Sequence, residues 1–585
     1  MTGVQIGNEF LELPQGTIIE IESENPLLQF NQEILGEYSY PFPVKITDNN
    51  NRLLGYAGIP QKWVDTAGVD AILYDKSLQV GGGKVKIERV NSNFNRMHAG
   101  TMDCYFLGKA SSFYQDAKDI SLRAINAGGD RTFDWDGYVT TGTGFWKHLN
   151  DVFFGNPNDF DYAFFPVRNE NAITTLVTSD YDYDKIINKV YFDVANDRWI
   201  NRGMFCPFPY LHYILKKAVE HVGWRIQGDF LEDETFRKIT ILNFTAIDWA
   251  YIVKDGGVIN HEPYAEITFN LNNHLPDIKI GEFLIAIKNK LGLHLEFDSL
   301  HKIITVSLLD DIADGQGADY TNKAGALIPK SITQDNTIYG LKYSDGRGEL
   351  NLGNTIYQGE IATRADLPAA AEALHDQSYY ISLENKYLIC LQNEDNDDWD
   401  WQVMGDNNMD YLPEGHNEDI TTSALIPGME IYTDFYSRKL LVPRVDEMIE
   451  SIHNSYEPTG YGLYLCLHLG LSNLDNPDPV DLYYPLGSAS VFDMEMTQLA
   501  DWGLTFTCFK PDGTDIGIYK TFWERFLAII GNKEQFEVPL YLPMHEYLQL
   551  KFSDRIIISG IEMFIRQIRS AVPYRGNLVA VCTRV

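Results

Sequence analysis

The densest run of groups that could do chemistry is residues 394–400, EDNDDWD. A hard cation such as calcium needs several oxygens from alternating positions of one loop. Asp395 and Asp397 supply that alternation, but the glycine and the distal glutamate of the twelve-residue calcium loop are absent after them. The run reads instead as a solvated hairpin tip ending in Trp399 and Trp401. In residues 140–148, TTGTGFWKH, Gly142 and Gly144 precede a helical pattern, yet the third glycine and the Gly-Lys-Ser/Thr of a phosphate cradle are missing. That stretch reads as a loop opening a helix. The histidines form no His-Glu-x-x-His pair, and His212, His221 and His294 fall within helix or strand patterns. Gly-x-Ser-x-Gly is absent, and no pair among the carboxylates is singled out for acid–base work on a glycoside. No residue is therefore assigned a catalytic, cofactor-binding or metal-binding role, no cofactor is called for, and an enzyme is not expected.

Elements that could position such groups can be read from composition. The chain has 585 residues, 44% hydrophobic and 13% aromatic, enough for three to five modules rich in strands. Eighty-two acidic against 47 basic residues give a net charge of −35, a field that repels phosphate backbones and disfavours tight wrapping of nucleic acid. It leaves room for an acidic surface past which nucleic acid slides. Cys104, Cys206, Cys390, Cys466, Cys508 and Cys582 lie far apart with no Cys-x-x-Cys, so buried free thiols are expected. We read no signal peptide and no membrane span.

Along the chain, GTIIEIES and GGGKVKIERV alternate as half-buried strands. In GEYSYPFPVKITDNNNRLLGY, Tyr38, Tyr40, Phe42, Val44 and Ile46 share one face by period-two spacing. Pro41 and Pro43 remove two donors aimed at one neighbour, which predicts an edge strand with Phe42 and Val44 facing the core. Thr47 or Asp48 then caps a short helix stopped by Gly55. Ile214, Leu215, Ala218 and Val222 form an apolar helical stripe closed by Gly223, with Trp224 and Ile226 starting a strand. Phe283, Leu284, Ile287 and Leu291 repeat those offsets before Gly292, with a hairpin turning at residues 298–301 after it. Strands around Glu384 and Asn385 predict a second hairpin. Phe522, Trp523, Phe526 and Ile530 mark a helix, EQFEVPLYL a strand, Ser559 and Gly560 a tight turn, and NLVAVCTRV a last strand.

Three of these stretches, the opening ENPLLQF…GEYSYPFPVKITDNNNRLLGY, the central LPDIKIGEFLIAIKNKLGLHLEFDSLHKIITV and the closing FWERFLAIIGNKEQFEVPLYLPMHEYLQLKFSDRIIISGIEMFIRQI, together resemble tail hub proteins of tailed bacteriophages, the baseplate hub or tail-tip protein. They cover about half of the chain and are patterned apolar residues rather than catalytic motifs. The resemblance implies a homotrimer in the virion, made in the host cytoplasm, each chain giving two tail-tube-like β-barrel domains. Three chains then build a pseudo-sixfold ring through which DNA passes without specific binding. It implies a tail tube or distal tail protein, a tape measure protein, and tail fibre or receptor-binding proteins as partners. Hubs with a lysozyme-like or peptidase extension differ from this chain, whose hub-like strands run to Val585.

The expected fold class is α+β, predominantly β. The expected domains are a β-barrel or sandwich over 1–125, a β-rich connection over 126–200, helix–Gly–strand modules over 201–345, an inserted hairpin module over 346–425 and a tube-like β domain with one helix over 426–585. Two further readings are a receptor- or carbohydrate-binding tail protein using Trp399 and Trp401, and a cell-wall-degrading tail enzyme.

Overall fold

The structure is a computed structural model that describes residues 3–30, 36–56, 68–92, 100–135, 143–154, 159–169, 186–188, 190–193, 198–201, 205–247, 250–255, 258–331, 337–343, 356–361, 363–375, 377–381, 386–392, 399–406, 417–433, 439–445, 462–473, 482–489, 517–531 and 534–585. It is predominantly β with helices packed among several sheets.

Eight strands come first: β1 (Gly3–Ile6), β2 (Glu9–Phe10), β3 (Ile19–Glu24), β4 (Glu37–Ser39), β5 (Phe42–Lys45), β6 (Val69–Asp75), β7 (Leu78–Ser92) and β8 (Gly100–Gly108). The stretch expected to be one strand is two. Tyr38 pairs with Leu107 but Phe42 with Cys104, a one-residue slip along β8. Because side chains alternate, a one-residue slip moves the residues beyond it to the other face. Tyr38 and Tyr40 accordingly meet Glu22, whereas Phe42, Val44 and Ile46 are buried in the core. The five residues thus do not share a face. The amide of Ile46 reaches Gly100 O on the β8 side and that of Lys45 reaches Glu12 O on the other. Pro41 and Pro43 share the parity of Lys45, so the missing donors lie away from β8. Helix α1 (Asp48–Leu53) is capped by the Thr47 hydroxyl, which accepts from Asn50 N at 3.2 Å. Gly55 ends it at a φ of +68°, where a side chain would be strained.

Helix α2 (Lys109–Ala117) continues directly from β8, and α3 (Phe145–Phe154) comes after the glycine loop. In the middle of the chain come α4 (Leu211–His221), β9 (Arg225–Gln227), α5 (Ile280–Leu291), β10 (Leu293–Asp298) and β11 (Ile303–Leu308). Both expected apolar stripes are buried apart from Val222, which is half-buried at the end of α4, and Gly223 and Gly292 have positive φ. β9 pairs parallel and β10 antiparallel to β11. The two helix–Gly–strand units therefore run in opposite directions in one sheet, a relation no repeat offset could reveal. The β10–β11 tip docks on the glycines of β7: the Ser299 hydroxyl donates to Gly82 O at 2.5 Å. A Cβ on Gly82 would lie 2.7 Å from Leu300 Cα.

β12 (Ile328–Ser331) and β13 (Tyr339–Tyr343) precede a separate four-stranded sheet of β14 (Ile356–Ile361), β15 (Gln377–Ile381), β16 (Lys386–Gln392) and β17 (Trp399–Asp406). β15 and β16 form the expected hairpin. The chain returns through β18 (Glu418–Thr422), which pairs parallel to β13. After α6 (Glu524–Ile530) come β19 (Gln535–Leu540), β20 (Arg555–Ile558), β21 (Ile561–Val572) and β22 (Leu578–Arg584). β20 and β21 turn at Ser559 and Gly560, both at positive φ.

The two ends of the chain, with two short strands from residues 318–331, make one sheet of fourteen strands, whose main path is β2-β1-β6-β7-β8-β4-β3-β21-β22-β19-β12. Its packed face carries Ile19 opposite Val572, Ile568 opposite Ala580 and Leu540 opposite Leu578. All are buried. The implied closed barrels are a correction: among the described residues the path ends openly at β2 and β12. β3 has β4 on one edge and β21 on the other, so neither end of the chain curls back on itself there. Cys104, Cys206, Cys390, Cys466 and Cys582 are buried free thiols, and Cys508 lies outside the described residues. Among the described residues no helix is long and apolar enough to cross a membrane.

Candidate functional site

Where the chain ends meet, β3 alternates inward isoleucines with Glu20, Glu22 and Glu24 on the opposite face. Glu22 is only 5% exposed. One carboxylate oxygen accepts from Tyr38 Oη at 2.7 Å and from the Gln567 amide. The other accepts from Tyr40 Oη at 2.8 Å and Arg569 Nε at 3.2 Å. Burial works to raise the Glu22 pKa, but the two phenols and the guanidinium outweigh it and hold the carboxyl below its ordinary range. A buried carboxylate with four donors is a satisfied lock between strands more than five hundred residues apart in sequence, not a poised acid. Tyr40 is 47% exposed beside it, so the rim of this face is aromatic and acidic.

Immediately after β3, residues 25–30 rest on the second half of α5. Asn25 is buried, donating to Phe552 O at 3.2 Å and Ile565 O at 2.6 Å and accepting from Leu27 N at 2.9 Å. Lys288, 1% exposed, donates to Pro26 O at 3.1 Å and to Gln29 O, with its Nζ 5.1 Å from the Phe30 ring centre. Asn289 donates to Phe30 O at 2.5 Å and Thr421 O at 2.7 Å. Thr422 Oγ1 donates to Ala286 O at 2.9 Å. One helix thereby holds the exit of β3 and the strand through which the chain returns from the β14–β17 sheet. The sequence signal for Lys288 is its place on the apolar stripe, four residues after Leu284 and three before Leu291. Glu22 had no such signal.

Trp399 and Trp401 lie two apart on β17. The Trp401 indole donates to Pro368 O at 2.8 Å and its ring meets Tyr379 edge-on at 5.5 Å; Trp399 meets His375 at 5.2 Å. Both rings are half-buried, packed on the connection between β14 and β15 and on β15 itself. Residues 393–398, and with them most of the acidic run, lie outside the described residues, as does the start of the glycine loop. His148 on α3 stacks on Phe133 at 4.2 Å and bonds Tyr162 Oη, and burial pushes its pKa down to about 4. Burial likewise pushes His212 down to about 4 and His294 to about 3, while His221 ends α4. Among the described residues no three His, Cys, Asp or Glu side chains are grouped to hold a metal ion.

No family model and no curated protein matches the sequence. Among solved structures, the chain is similar to the 43 kDa tail protein of prophage MuSo2 from Shewanella oneidensis, at 8% identity and a TM-score of 0.33 over 100% of this chain and 96% of that one. A likeness of that size leaves the fold to rest on its own geometry.

Proposed function

We propose that this chain is a structural protein of a phage virion: the trimeric hub at the distal end of the tail tube, continuing or closing the DNA channel and anchoring tail-tip or receptor-binding proteins. The observation that carries this reading is the sheet shared by the two chain ends, which are two of the three stretches resembling hub proteins. Joined through β3 and β21, they set two β units side by side, the arrangement three chains need to make a pseudo-sixfold ring. The acidic balance of the chain supports it, because a channel for DNA must not hold phosphates. Its neighbours in this reading are the tube or distal tail protein above, the tape measure protein inside, and fibres or receptor-binding proteins outside. It has no catalytic part in this reading. The test is the mass of the purified chain in solution, alone and with tube and tape-measure partners. The expected species is three times the 66.6 kDa of one chain. A strict monomer that never assembles with those partners overturns the ring.

A further inference from the structure

Around residues 25–30 the structure concentrates buried polar atoms that have no hydrogen-bond partner among the described residues: Gln29 Oε1, Asn289 Oδ1, His294 Nδ1 and Trp523 Nε1. Each such atom carries a desolvation penalty, and native interiors hold few of them. Trp523 stands 5.6 Å from Phe30, and Asn289 adjoins Lys288. Among them is the buried Lys288 amino group, whose partners are two main-chain carbonyls and a ring face; among the described residues no carboxylate pairs with it. The same strand exit, one residue earlier, is fully partnered at Asn25.

We propose that the contact between the second half of α5 and residues 26–30 is a proton-operated latch, which loosens when Lys288 takes up a proton while the β3–β21 junction beside it holds. Burial is the cause acting on Lys288, and it pushes the pKa down from the ordinary lysine range to about 7. The groups facing it do not reverse this. Lys290 shares its helix, His294 on β10 is neutral with Lys551 beyond it, and residues 26–30 bring only carbonyls and the Phe30 ring. Glu24 is engaged by Gln29 Nε2 at 2.8 Å. Tyr339 on β13 touches Phe30 from the far side, at 5.9 Å. When the latch opens, Lys288 regains an ordinary lysine pKa. Between about pH 7 and about pH 10 the open state then binds more protons than the closed one, so falling pH favours opening across that window and has no further effect below it. In a hub, such a latch would let the strand exit yield without parting the ring-forming sheet, which rests on the function proposed above.

The test is hydrogen exchange on the full chain, read by mass spectrometry and corrected for intrinsic exchange rates at each pH. The amides of Leu27 and Leu28 bond to Asn25 and that of Gln29 to Pro26 O, so their exchange reports residues 26–30 coming away from the anchored Asn25 turn. The expected result is opening that grows several-fold, up to about tenfold, for each pH unit lowered from about 10 to about 7. Residues 19–24 stay protected, and in Lys288→Met the dependence disappears. If Lys288→Met does not fold, the comparison of residues 26–30 with residues 19–24 in the unaltered chain decides. Equal opening at pH 7 and pH 10, an unchanged slope in Lys288→Met, or residues 19–24 opening in step overturns the latch but leaves the hub standing. Hub failure is read separately, from the mass in solution.

Discussion

Two joints lie next to each other on this chain and differ in one respect. At the β3–β21 junction Glu22 has four donors and Asn25 three partners. At the α5 joint a few residues on, a fully buried lysine sits among polar atoms that have no partner among the described residues. Hydrogen bonds contribute modestly when made and cost more when left unmade, so the first joint is built to last and the second to yield. What separates a fixed seam from a movable one here is the pairing of polar groups rather than apolar area.

The difference can be broken most strongly at Asn25. Asn25→Ala strips a donor from two buried carbonyls and an acceptor from Leu27 N, and should lower the opening free energy of the β3–β21 amides by about 3 kcal/mol in native-state hydrogen exchange. Glu22→Gln keeps the shape and should cost about 1–2 kcal/mol at neutral pH. Its pH dependence has a fixed sign. The folded Glu22 pKa lies below the unfolded value, so its contribution is present above about pH 4.5 and is lost as pH falls through the folded pKa. Wild type and Glu22→Gln should therefore converge in acid, which a melting series from pH 3 to pH 7 would check. Thr422→Val removes the bond to Ala286 O and the acceptor of Ala424 N where β18 meets α5, and should cost about 1–2 kcal/mol, read as faster exchange in β18. The smallest effect is expected at Lys551, whose ion pair with Glu296 at 3.3 Å links the C-terminal part to β10 at the surface. Lys551→Ala should change stability by less than about 0.5 kcal/mol, and high salt should erase even that.

Local patterns are legible in the sequence alone. The helix stripes ending at Gly223 and Gly292, the Thr47 cap, the Ser559–Gly560 turn and the inward Phe42 and Val44 are each fixed by a few neighbouring residues, and the fold bears each of them out. Tyr38 and Tyr40 were misplaced because a one-residue slip along β8 has no local signature; Pro41 marks where it falls, not that it occurs. The open sheet was hidden for a related reason. Whether β3 closes on its own neighbours or pairs with β21 depends on residues at opposite ends of the chain. Glu22 read as an outward residue of an alternating strand because Gln567 and Arg569, which help bury it, are supplied from the other end. Lys288 carried a signal that went unread, a charge on an apolar stripe, and its two carbonyl partners carried none.

The central claim is that this chain builds the hub at the end of a tail tube. Cryo-electron microscopy of the assembled particle of the phage that encodes the chain tests it most directly. The account expects three copies in a ring at the distal end of the tube, with each β3–β21 seam inside one subunit and two β units of every chain in the ring. A particle without the chain, or one carrying it along a fibre away from the tube axis, would contradict it.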